Sequence, residues 1–112
     1  MKVHQIIFLY SLFTSLLAAQ MSGGWTSIDV KDDAVIEASR YSVVNFYDPD
    51  YVKSYDVLSA SRQVVSGLKY EMIIAIHPQG ELGNKCFRVR VVVVDHFGDY
   101  MLLAHQREPG DC

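Results

Sequence analysis

Hydrolytic, metal and phosphate chemistry all need side chains at set spacings, and this chain has few candidates. Its histidines are His4, His77, His96 and His105. None stands in an H-x-x-x-H spacing, and no serine lies in a nucleophile elbow. Asp48 and Asp50 flank Pro49, which is common turn chemistry rather than an acid–base pair. The stretch "GELG" at 80–83 lacks the strand-to-helix setting of a phosphate loop. No catalytic residue, no metal site and no cofactor is therefore expected, and the chain does not read as an enzyme. Cys86 and Cys112 are an even pair in a small domain and read as one disulfide. It would close a loop of about 27 residues, worth roughly 3–4 kcal/mol in the chain-entropy model.

Three glycine-bearing points remain: Gly23-Gly24 before a lone tryptophan, Gly67 closing "QVVSG", and Gly98 within "DHFGD". Their positions depend on the elements that carry them. Asp32 or Asp33 can cap a helix that starts at Ala34. Val35, Ala38, Ser42 and Phe46 recur at helical spacing with Val43 beside them, and Asp48-Pro49-Asp50 ends the run. Period two then takes over. Tyr55 to Val65 is one extended segment. Leu68, Tyr70, Met72, Ile74 and Ile76 alternate with Lys69, Glu71 and Ile73. Cys86 to Val94 is a β-branched strand, and Tyr100 to His105 is a last one. The turn "HPQGELGN" separates the middle two.

One short N-terminal strand, one helix and four strands joined by hairpins predict an α+β domain. Its antiparallel β-sheet of about five strands wraps around the single α-helix. In such a meander alternate hairpins fall at the same end, so the tips at Gly67 and Gly98 share one edge. An N-terminal arm leaving its strand there completes a row of three. Trp25 is read as packing just inside the sheet, with a contact at that edge as the alternative. His77 and His105 are read as solvated strand-end residues.

At 112 residues and 50% hydrophobic content the chain has material for one core, although part of it lies in the first twenty residues. Lys2 precedes an apolar run from Ile6 to Leu17, with Ala18-Ala19 behind it. That is a secretory signal, too short to span a membrane as a helix; an uncleaved anchor or a buried N-terminal helix is the alternative. Residues 1–19 are expected to be removed, leaving a domain over 20–112 that is secreted to the extracellular space, monomeric and free of any membrane. The chain carries 10 basic and 13 acidic residues; removal of Lys2 leaves 9 against 13, a formal −4. This argues against nucleic acid as a partner. Arg88 and Arg90, on one strand face in "FRVRV", suit solvent better than phosphates.

"QVVSG" resembles the Gln-x-Val-x-Gly motif of the cystatins, with Gln63, Val65 and Gly67 in the motif positions. The glycine pair, the single helix, the signal and the C-terminal cysteine pair fit as well, over roughly Gly23 to Cys112. The resemblance implies a reversible, tight-binding inhibitor of papain-like cysteine proteases such as cathepsins, which fills the active-site cleft with a three-part wedge. The implied protease-binding residues are Gly23 and Gly24 in the arm, Gln63, Val64, Val65, Ser66 and Gly67 in the first hairpin, and His96 and Phe97 in the second. The alternative is a cystatin-fold secreted binding or host-defence protein without protease inhibition. Met21 and Ser22 would lie in substrate-like subsites. On this view a Gly67→Trp variant loses potency while still folding.

The chain departs from the family in three places. The second hairpin reads Asp95-His96-Phe97-Gly98 where the family usually has Pro-Trp. Either His96 or Phe97 takes the tryptophan's place, or the hairpin is a plain turn. Only the C-terminal cysteine pair of the usual four is present. "YDPDYVKS" lacks the Ser-Asn-Asp segment used against legumain, so no legumain inhibition is expected.

Overall fold

The computed structural model describes residues 24–80 and 85–112. The expected signal segment lies outside them. The elements are β1 (Thr26–Ser27), α1 (Asp33–Phe46), β2 (Val52–Val65), β3 (Gly67–Pro78), β4 (Phe87–His96) and β5 (Asp99–Asp111). The strands form one sheet in the order β1-β2-β3-β4-β5, every neighbouring pair antiparallel. The expected five-stranded antiparallel sheet with one helix is thus present.

The helix starts where its sequence provides a cap. The Asp32 carboxylate accepts from the Ala34 N–H at 2.9 Å, filling one of the donors a helix start leaves open. Asp33 in the first turn adds favourable charge to the dipole. Val35, Ala38, Ser39, Ser42 and Val43 are buried. The small residues at the centre of this stripe let the helix lie close to the sheet. Ser39 and Ser42 keep their hydroxyls satisfied by donating to the carbonyls of Ile36 and Ser39. The helix stops at Phe46, and Tyr47 turns to an extended ψ of 147° just ahead of Asp48-Pro49.

The core rests on alternation in the two central strands, broken only at Ala75 of β3, which is buried as well. Tyr70, Met72, Ile74 and Ile76 of β3 face Val93, Val91, Val89 and Phe87 of β4 across the ladder, and all eight are buried. Each such side chain contributes roughly 1.5–3 kcal/mol of burial. The outer strands break the alternation. In β2 the register shifts between Val57 and Ser59, leaving Leu58 unpaired and 52% exposed. Tyr55 and Val57 pack on the core before the shift, and Ala60 does so after it. In β5 the shift between Val92 and Val93 of the partner strand leaves Leu103 unpaired. Bulges of this kind bend a strand and increase its twist, which curls the sheet's flanks around the helix.

Two expectations change here. Strand β2 begins at Val52 rather than Tyr55, and β5 runs to Asp111 rather than His105. His105 is also not a solvated strand end. Beyond the Leu103 bulge it turns towards the end of α1, stacks on Phe46 with ring centroids 3.4 Å apart, and lies 2.9 Å from the Tyr47 hydroxyl. Burial holds the His105 imidazole below its ordinary range. Burial likewise pushes the Tyr47 phenol up to about 12, with the neighbouring Tyr51 adding to the rise. Phe46 itself stays 51% exposed, covering His105 rather than entering the core.

Candidate functional site

The first hairpin closes at Ser66, with Val65 paired to Gly67. Gly67 has φ +108°, a region that side chains rarely adopt. A Cβ there would also lie 2.5 Å from the Asp95 carbonyl oxygen and 3.1 Å from the His96 Cα. Both constraints have one origin. At this point β3 runs hard against β4, with Leu68 opposite Asp95. Gly67 is therefore the residue that lets the two loops approach each other. Gly67→Trp would strain the sheet as well as the tip, so it does not probe binding cleanly, contrary to the expectation from sequence.

The second hairpin pairs His96 with Asp99 and turns through Phe97 (φ 54°) and Gly98 (φ 96°). Two positive φ values in a two-residue loop match the right-handed twist of the flanking strands. The Asp95 carboxylate accepts from the Gly98 N–H at 2.7 Å and holds the turn. Phe97 occupies a backbone region uncommon for its type and is 85% exposed. The ring of His96 meets it edge-on at 4.8 Å.

The tips touch. His96 Nε2 lies 3.4 Å from the Ser66 hydroxyl oxygen. Val64, Val65, Gly67, Leu68, Asp95 and Phe97 line a hollow of about 400 Å³ between the loops. Val64 and Val65 are 52% and 38% exposed. A concentration of apolar side chains at a loop edge is the pattern of an interaction surface. Leu68 and Asp95 are absent from the sequence-derived set. Leu68 reads as the first core residue of a strand, and Asp95 as ordinary turn composition. Only the register of β3 against β4 brings them to the edge.

The arm leaves at the same end. Thr26 pairs with Arg62 and Ser27 with Ser61, so the chain running back to Trp25 and Gly24 heads alongside Gln63 and Val64. Gly24 is exposed, with open space where a side chain would stand. Gly23, Met21 and Ser22 lie outside the described residues. Trp25 is not inside the sheet's core: it is 42% exposed, with the Lys69 ammonium 5.8 Å from its ring centre.

At the opposite end Cys86 and Cys112 form a disulfide, their Cα atoms 5.4 Å apart. Arg90 sits 3.7 Å from a carboxylate oxygen of Glu71 and 4.0 Å from one of Glu108. Arg88 donates to the Pro109 carbonyl at 3.4 Å. Among the described residues no three His, Cys, Asp or Glu side chains cluster as a metal site. No helix among them is long and apolar enough to cross a membrane.

Cystatin-1 of Crotalus adamanteus is 35% identical over 72 residues, covering 61% of this chain and 52% of that protein. A salivary cystatin from the soft tick Ornithodoros moubata superposes with a TM-score of 0.61 at 17% identity, over 76% of this chain and 96% of that one. The chain is thus similar to a cystatin in sequence and shares a cystatin's fold. A second solved structure, Al-CPI, shares the fold with a TM-score of 0.53 at 18% identity, over 76% of this chain and 99% of that one. No family model matches the chain. The chain spans about half the length of the curated relative it matches.

Proposed function

We propose that this chain is a secreted, monomeric, reversible inhibitor of papain-like cysteine proteases of the cathepsin type. It would block their cleft with the arm before Trp25 and the hairpin tips at Val64–Gly67 and His96–Phe97. One observation carries the proposal: two tips touching through Ser66 and His96, with Val64, Val65 and Phe97 held out in solvent beside the departing arm. Exposed apolar groups on a pre-shaped edge lose little ordering entropy on docking, which favours tight binding. The backbone at Gly67 passes so close to Asp95 that an added Cβ would lie 2.5 Å from its carbonyl oxygen, which supports a pre-shaped edge. The salivary origin of one solved relative supports secretion.

A second reading, a cystatin-fold binding or host-defence protein without inhibition, is favoured by the second hairpin, which carries His96-Phe97 in place of Pro-Trp. Titrating the purified protein into papain or cathepsin L separates the two. Stoichiometric loss of activity at nanomolar concentration is expected. Full activity at micromolar inhibitor would favour the second reading instead.

A further inference from the structure

The disulfide end of the sheet carries an arrangement that the wedge does not use. Pleat alternation sets it up. Tyr55 and Val57 face the core on β2, Ile76 on β3 and Phe87 on β4, so Asp56, His77 and Cys86 share the opposite face. Pairing of Ser54 with His77 and of Ile76 with Phe87 sets the three in a row across adjacent strands. The row is closed by contact. His77 Nε2 lies 3.2 Å from Asp56 Oδ2 and 3.9 Å from Cys86 Sγ. One ring nitrogen thus stands between a carboxylate and a disulfide sulfur. The two residues differ in exposure: Cys86 is half-buried, whereas Cys112 is exposed. Among the described residues, Lys85 and Asp111, which adjoin the two cysteines in sequence, lie 4.0 Å apart.

We propose that Cys86–Cys112 is a thiol-exchangeable bond with a built-in direction: an external low-molecular-weight thiolate attacks Cys112, and Cys86 leaves with assistance from His77. The new bond joins the incoming sulfur to Cys112 Sγ. The S–S bond breaks with its electron pair on Cys86 Sγ, which takes the hydrogen bond or proton of His77 Nε2–H. Asp56 keeps that nitrogen a donor. A second thiol then attacks the mixed disulfide, releasing the external disulfide and leaving both cysteines reduced. Two external thiols are oxidised as the one protein disulfide is reduced. Cys112 is the modifiable position, and a glutathione-like thiol is the ligand class. Because the row lies at the far end of β4 from His96, this inference stands independently of protease inhibition.

The test uses the oxidised full chain and reduced glutathione, quenched by alkylation at set times and read by peptide mass spectrometry. The first adduct is expected on Cys112; an adduct first on Cys86 would overturn the proposal. This readout needs no variant, so it does not depend on one folding. In His77→Gln, confirmed folded by its unfolding midpoint, exchange is expected to slow by about a few-fold, because the leaving Cys86 thiolate loses its imidazole hydrogen-bond donor. Equal rates would remove His77 from the mechanism and refute the assisted step.

Discussion

Phe97→Ala separates binding from folding more cleanly than any other change at the wedge. The residue is 85% exposed and touches mainly His96, so its ring contributes almost nothing to the free protein's core. Fully burying a phenylalanine side chain is worth roughly 1.5–3 kcal/mol, and nearly all of that remains available when Phe97 docks. Losing about 1.5–2.5 kcal/mol would raise the inhibition constant about 10- to 70-fold. Val64 and Val65 start at 52% and 38% exposure on smaller side chains, so truncating either to alanine should cost less. The expected order of loss is Phe97, then Val64, then Val65. The assay is tight-binding titration of papain or cathepsin L, with thermal unfolding beside it. The unfolding midpoint of Phe97→Ala should stay within the few degrees typical of a surface change. Less than a twofold change in the inhibition constant, with Val64→Asp still damaging, would show that the second hairpin is not in the interface.

Gly67→Ala should lower stability by about 1–3 kcal/mol, because it combines a positive φ with a Cβ pressed on the Asp95 carbonyl; an unchanged urea midpoint would contradict that geometry. His105 is held below its ordinary range by burial, so the unfolded chain takes up its proton first as pH falls. Stability is complete above the unfolded value of about 6.5 and declines below it until the folded imidazole is also protonated. The decline in midpoint between about pH 8 and pH 5 should shrink in His105→Gln, and an identical decline would assign it elsewhere. Replacing both Cys86 and Cys112 with serine should cost about 2–4 kcal/mol for a bridge of sequence separation 26, read from chemical denaturation. Legumain should keep full activity in the presence of the protein, and nanomolar inhibition would show that "YDPDYVKS" serves where Ser-Asn-Asp is missing.

The local chemistry of the elements was legible from the sequence. Asp32 or Asp33 announced the helix start, Asp48-Pro49 its end, and the alternation from Leu68 to Ile76 a strand with one buried face. These signals are short-range: a cap, a φ restriction and a period of two act within a few residues. "QVVSG" and the glycines marked turns, and chain order implied that two of them share an edge. Register and contact came from tertiary structure alone. Leu58 and Leu103 drop out of their ladders because the outer strands must curve around the helix. His105 consequently turns inward, against a reading based on its position near a strand end. Trp25 stays outside because β1 is only two residues long and ends beside Lys69. Gly67 looked like a residue needed for a turn. The fold makes it the point where two strands come too close for any side chain, because Asp95, 28 residues further on, lies against it. Asp56, His77 and Cys86 carry no motif in the sequence; three strands in register bring them together. Sequence thus specified which segments would be extended, helical or turned, and the long-range pairing of β2, β3 and β4 determined which side chains meet.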